Sequence, residues 1–258
     1  MAGFGEEIRR AARLLADSRY AVALVGAGIS VESEIPPFRG PGGLWTKYGE
    51  PDMRGYDRFL EDPKGWWETY QQREGYAKEL MDTINAARPN AGHYALVELE
   101  RMGVLKHTIT QNVDNLHCIA GSERLSEIHG NVFKLRCISC NRRFEMDEIS
   151  MEQLPPHCPD CKGLVKTDGV MFGEPIPPRV LDLCQEEASK CDCMLLVGTS
   201  ATVYPAAAFP SVARRKGASL IEVNLYETPL SDACDAVIRG PSAENLPRIV
   251  EQVRGFLV

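Results

Sequence analysis

The chain has 258 residues, 44% of them hydrophobic and 25% charged, with a formal net charge of −7 and a pI near 5.4. That length and apolar content suit a full core, in one large domain or one large and one small, and exclude a disordered chain. The acidic balance argues against broad electrostatic attachment to nucleic acid or to an anionic membrane, so small molecules and peptides are the expected partners.

In chain order, Ile8, Ala12 and Leu15 recur at helical spacing. The stretch around them carries charges and lacks a small-residue cleavage pattern, so it does not read as a secretory leader. No run is long enough to span a bilayer, and a cytoplasmic protein is expected. Residues 20–25 read as a buried strand, and Gly26-Ala27-Gly28 follows at once. From residue 36 to about 88 the texture changes to prolines, glycines and aromatics with short helical patterns, as in an insertion over a ligand site. Residues 93–102 read as a helix turning Tyr94, Val97 and Leu99 to a core, residues 104–110 as a strand, and residues 111–117 as a polar loop. Residues 137–161 are too polar to organise themselves. The alternating pattern then resumes with a helix near 181–189, a strand at 194–197, a helix to 216, a strand at 219–224 and a last helix at 246–256. Alternating strands and helices predict an α/β fold, a Rossmann-like parallel sheet with helices on both faces.

Nine cysteines is an odd number, and four of them fall in two C-x-x-C pairs, which fits a metal site in a reducing compartment better than a disulfide framework. Cys137-x-x-Cys140 and Cys158-x-x-Cys161 have the spacing of two knuckles presenting four thiolates to one zinc ion. Four sulfurs close the coordination sphere, so the metal is expected to be structural and to fold the module. A redox pair would need only one C-x-x-C, and His157 is the alternative ligand. Cys118, Cys184, Cys191, Cys193 and Cys234 read as buried small apolar residues.

Glycines at 26 and 28 let the backbone approach a pyrophosphate and point N–H groups at it. Val31 occupies the third glycine position of G-x-G-x-x-G, so a plain strand-to-helix turn fits this motif as well. Three further strands end in polar loops, at residues 110–114, 198–200 and 223–224, and in an open parallel sheet such ends line one crevice. Asn112, Asp114 and His129 suit chemistry on a ribose or an amide, although each singly reads as a turn former or a satisfied polar residue.

The ordered set GAGIS…IPPFRG, TQNVDNLH, IHGNV, the paired C-x-x-C, VMFGEPIP, GTSATVYPAA and VNLYET resembles the sirtuin family of NAD-dependent protein-lysine deacylases over nearly the whole chain. The resemblance implies NAD as cofactor, one structural zinc, and acyl-lysine proteins or peptides as partners, with neither membrane nor nucleic acid. It implies a Rossmann-like domain of residues 1–40, 86–132 and 170–258, a helical cofactor-loop module at 41–85 and a zinc module at 133–169. The prolines after the glycine turn then belong to a loop that orders over bound NAD, which a continuous helix could not do. By position, Gly26, Ala27, Gly28, Ser30, Phe38 and Arg39 would meet cofactor phosphate and ribose groups. Gln111, Asn112, Val113 and Asp114 would form the nicotinamide and ribose pocket, Gly198, Thr199 and Ser200 the phosphate loop, and Asn224, Leu225, Tyr226 and Ser242 the adenosine side. His129 matches the catalytic base, with Asn112 and Asp114 also catalytic.

The implied reaction sets the acyl-amide oxygen on the anomeric carbon, expels nicotinamide and ends with the acyl group on ADP-ribose, His129 accepting the ribose hydroxyl proton. Val170, Phe172, Gly173 and Glu174 resemble the strand that pairs with substrate backbone, which predicts weak sequence preference. Tyr70-Gln-Gln-Arg73 stands where the class III branch carries its Tyr-x-x-Arg pair. A phenol and a guanidinium three apart on a helix could receive the distal carboxylate of succinyl or malonyl groups, while an incidental pair on a solvated helix would predict plain deacetylation. The sequence departs from the family at Glu34, where a glycine is usual, at Pro37, where Asp or Thr is common, at Asn115, where Gly or a similar residue is frequent, and in Thr167-Asp168-Gly169. Mono-ADP-ribosyl transfer, a non-catalytic NAD and zinc sensor, and a dehydrogenase are the alternatives.

Overall fold

In a computed structural model, residues 2–38 and 42–257 are described. The chain begins with helix α1 (Ala2–Asp17), strand β1 (Ala21–Val25) and a 3-10 helix (Ala27–Ser33). Four short helices follow: α2 (Leu44–Tyr48), α3 (Gly55–Glu61), α4 (Pro63–Gln71) and α5 (Gly75–Ala86). Next come α6 (Ala91–Arg101), β2 (Leu105–Thr110), α7 (Leu116–Ala120) and β3 (Leu125–Glu127). A small antiparallel sheet holds β4 (Lys134–Cys137), β5 (Arg143–Glu145) and β6 (Val165–Thr167) in the order β5-β4-β6. The chain then returns through α8 (Pro178–Lys190), β7 (Cys193–Val197), α9 (Phe209–Arg215), β8 (Ser219–Asn224), β9 (Ala236–Arg239) and α10 (Ser242–Leu257).

The large sheet runs β3-β2-β1-β7-β8-β9 with every pair parallel. Strand periodicity explains its two cores, because alternate side chains leave opposite faces. Ala21, Ala23, Val25, Leu195 and Val197 pack with Leu15, Leu96, Leu99 and Ile249 of α1, α6 and α10. Val22, Leu24, Met194 and Leu196 pack with Cys184, Ala188, Phe209 and Ala213 of α8 and α9. All five residues of β1 and of β7 are buried, which is why both read as unbroken apolar runs. A third core joins α3 and α4 to the small sheet through Phe59, Trp67, Leu135, Phe144 and Val165.

The order reverses between β1 and β7, and an open parallel sheet leaves a crevice at the carboxyl ends of the strands flanking such a reversal. Among the described residues, no helix is long and apolar enough to cross a membrane.

Three expectations need correction. Tyr94 is exposed rather than turned to the core; Ala95, Leu96, Val97 and Leu99 supply the buried face of α6. Cys118 and Cys234 are only half-buried, whereas Cys184, Cys191 and Cys193 are buried. Val170–Glu174 forms no strand: Glu174 N bonds Met171 O at 3.0 Å around Gly173, whose φ is +82°, so the segment closes in a turn.

Candidate active site

The crevice is built backbone against backbone. Gly28 N donates to Gly198 O at 2.8 Å, and Gly26 N to Val197 O at 2.9 Å, so the turns after β1 and β7 are in direct contact. A Cβ on Gly28 would stand 2.6 Å from Gly198 Cα, and one on Gly26 2.8 Å from Gly198 O, which no side chain tolerates. Ala27 and Ser30 lie on the 3-10 helix that continues from this turn. Thr199 accepts from Gln111 Nε2 at 2.9 Å, and its carbonyl accepts from Asn224 Nδ2 at 2.8 Å, which draws the ends of β2, β7 and β8 together. Ser200 follows Thr199, and Leu225 and Tyr226 project exposed beyond β8. Ser242 opens α10, whose Ala243 N donates to Glu32 Oε2 at 2.8 Å.

Beneath the turn lies a buried polar triad. Ser30 Oγ donates to Asp114 Oδ2 at 2.7 Å and accepts from Asn112 Nδ2 at 3.1 Å. Asp114 Oδ1 also accepts from Leu116 N at 3.0 Å. Burial raises the Asp114 carboxyl pKa, against the lowering pull of the Ser30 hydroxyl and the Leu116 amide. Val113 O accepts from Val132 N at 3.0 Å, tying this loop to the segment after His129. Burial pushes the His129 imidazole down to about 4, so it is neutral near pH 7 and able to accept a proton.

Two buried atoms here have no partner among the described residues: Asn112 Oδ1 and His129 Nε2. Orphaned buried polar atoms are rare in folded proteins, and in a crevice at a sheet's switch point they fit polar groups of a bound dinucleotide. The donors and glycine cradle therefore suit NAD. Phe38 tilts against Trp45 with ring centroids 5.2 Å apart, and Trp45 meets the edge of Phe172 at 5.7 Å, so the three rings form one aromatic cluster. Arg39 lies outside the described residues.

The four thiolates converge as their spacing predicts. All four sulfurs lie within 4.8 Å of one another, with Cys137 to Cys161 at 3.4 Å and Cys140 to Cys158 at 3.8 Å. Sulfurs bound tetrahedrally to zinc stand about 3.8 Å apart, so the donor set fits one structural zinc ion. His157 is not part of the cluster; its Nδ1 contacts Lys162 O at 3.0 Å.

The Tyr70 and Arg73 pair needs a correction in its geometry. Helix α4 ends at Gln71, so Arg73 lies past the helix and does not share its face. The chain nevertheless folds back, with the guanidinium carbon 4.0 Å from the Tyr70 ring centroid, and Arg73 Nη1 is buried without a hydrogen-bond partner among the described residues. Trp66 stacks on the same tyrosine at 5.2 Å. Val170 N donates to His129 O at 2.8 Å, which places the turn beside the histidine. The Glu174 side chain faces inward to Arg136 and Lys166, so it can offer a peptide only its backbone.

The sequence patterns of the Sir2 family match residues 26–205, more than half the chain. This chain belongs to the Sir2 family. A Pyrococcus abyssi protein described as an NAD-dependent protein deacylase is 44% identical over 95% of this chain and 98% of its own. A solved Sir2 homologue in complex with NAD is 40% identical, with a TM-score of 0.78, over 96% of this chain and 94% of that one. A Sir2 structure holding a p53 peptide and NAD+ is 34% identical, with a TM-score of 0.75, over 93% and 95%. Residue patterns did not single out His93 and His117, a buried pair with ring centroids 5.0 Å apart, or the Arg136, Arg143 and Asp168 cluster. Only a strand register connects the members of that cluster.

Proposed function

We propose that this sirtuin removes acyl groups from protein lysine side chains at the expense of NAD, with succinyl and malonyl groups preferred over acetyl. The NAD-dependent deacylase activity follows from membership of the Sir2 family; the acyl preference rests on Arg73. When bound, NAD supplies an electrophilic anomeric carbon and a nicotinamide leaving group. Asn112 is held by Ser30, which Asp114 keeps in place, and its buried Oδ1, without a partner among the described residues, is left to meet the cofactor. His129 accepts the ribose hydroxyl proton at Nε2, the ring atom with no protein partner. The aromatic cluster of Phe38, Trp45 and Phe172 would help to exclude water from the reacting groups when the loop orders over NAD.

The observation that carries the acyl preference is the unpartnered, buried Nη1 of Arg73 beside the Tyr70 ring. A buried cationic N–H without an acceptor is costly, and a carboxylate at the tip of the acyl chain satisfies it bidentately. Arg73→Met is expected to lower kcat/KM on a succinyl-lysine peptide by roughly 10- to 100-fold, the worth of one or two charge-assisted hydrogen bonds, with acetyl-lysine turnover kept. Succinyl turnover undiminished in that variant would remove the preference and leave the deacylase.

A further inference from the structure

We infer that the zinc-module sheet acts as an electrostatic clamp on the His129 loop, with Asp168 and Arg143 as positioning residues for His129; this rests on the proton-accepting role proposed above. Each strand of the small sheet contributes one cation to a single network, Arg136 from β4, Arg143 from β5 and Lys166 from β6. These meet three carboxylates, Glu127, Asp168 and Glu174. Only Arg143 is substantially exposed among the six.

The carboxylates are spent on the segment that carries the histidine. Asp168 Oδ2 accepts from Arg143 Nη2 at 2.6 Å and from the backbone N–H of Asn131 at 2.9 Å, while Oδ1 accepts from Arg136 Nε at 3.0 Å. Arg143 Nη2 also reaches Glu127 Oε2 at 2.7 Å, and Asn131 Nδ2 donates to Glu127 Oε1 at 2.5 Å and to Asn115 Oδ1 at 2.8 Å. Glu127, two before His129, is thus held by Arg143, and Asn131, two after it, by the Asp168 that Arg143 also bonds. Between them Gly130 has φ +75°, and a Cβ there would overlap the Asp168 carbonyl. A second arm runs from Arg136 Nη2 to Glu174 Oε1 at 2.5 Å, and Glu174 Oε2 accepts from Lys166 Nζ at 2.9 Å and Met171 N at 2.8 Å. One charge network therefore fixes both the histidine and the turn beside it. Buried ion pairs replaceable by apolar packing are poor sources of stability, and fixing one geometry is their best-attested use.

The test uses zinc-loaded full-length Arg143→Gln, Asp168→Asn and a His129→Ala reference, with NAD and an acylated lysine peptide. Nicotinamide exchange into NAD reports the step before proton transfer, and acyl-ADP-ribose formation the step after it. Displacement of a general base predicts exchange kept near wild type, KM for NAD unchanged, and acyl transfer reduced roughly tenfold or more, with partial rescue in Arg143→Lys. Arg143, at the exposed rim, provides the variant that keeps the fold if Asp168→Asn does not. Exchange and transfer falling together, with loss of zinc, would reduce the cluster to a structural role and overturn the clamp. Unchanged transfer in Arg143→Gln alongside loss in His129→Ala also overturns it, whereas unchanged transfer in His129→Ala removes the underlying role of the histidine.

Discussion

Gly28 and Gly198 touch backbone to backbone, the N–H of one bonded to the carbonyl of the other at 2.8 Å, at the point where the sheet reverses its strand order. Gly198 has φ +56°, and a Cβ there would collide with Ile29 N. A Gly198→Ala variant meets both left-handed strain and a backbone clash, each of order 1–3 kcal/mol. Thermal unfolding and NAD titration are expected to show lower stability and weakened binding together. Wild-type affinity in that variant would mean that the two turns are not mutually dependent.

Stripping the metal has a separable signature. Cys137 and Cys158 share one core with Phe59 and Trp67, and Trp67 Nε1 donates to Val165 O at 3.0 Å. A structural zinc site contributes its binding free energy to folding. Chelation of the holoprotein is expected to shift tryptophan emission to the red as the small sheet and α4 separate, and to lower Tm. Emission unchanged by complete zinc removal would show that the apolar core holds this module unaided.

The parallel sheet was legible because β1 and β7 are buried on both faces and therefore written as unbroken apolar runs. The zinc cluster was legible because its ligand spacing is local in sequence. Tyr94 misled because helical spacing locates a face without saying whether its rim meets a core or solvent. The Arg73 position depended on a helix end at Gln71 that carries no strong stop signal. The link from Arg143 to Asp168 spans 25 residues and exists only once β4 pairs with both β5 and β6. No periodicity encodes such a pair.

Two positions noted as departures from the family motif adopt backbone geometry that favours glycine. Glu34 has φ +68° and Asn115 φ +64°, both left-handed. Asparagine tolerates that region and here is also held by Asn131, but glutamate has no such dispensation. Relief of the strain gives Glu34→Gly an expected gain of about 1 kcal/mol, partly offset by the entropy of a freer unfolded chain. Chemical denaturation measures it, and a destabilised Glu34→Gly would show that the side chain contributes more than its backbone strain costs.

Acid sensitivity follows from the histidines. Burial holds His93 at about 4 and His117 at about 3, the neighbouring His93 adding to the depression of His117. In the unfolded chain both return to about 6.5. Above that value both states are neutral and the two rings contribute no pH dependence. As pH falls below 6.5 the unfolded chain takes up protons that the folded protein refuses until about pH 4, so stability declines through this window. Each such histidine contributes a slope of up to about 1.4 kcal/mol per pH unit. His117, with both ring nitrogens buried and unpartnered, is the better one to remove. Denaturant unfolding of wild type and His117→Leu between pH 5 and 6.5 is expected to show a slope shallower by about 1 kcal/mol per pH unit in the variant, whatever its absolute stability. Parallel lines for the two proteins would mean that this ring binds its proton equally in the folded and unfolded states, and so is not held neutral by burial.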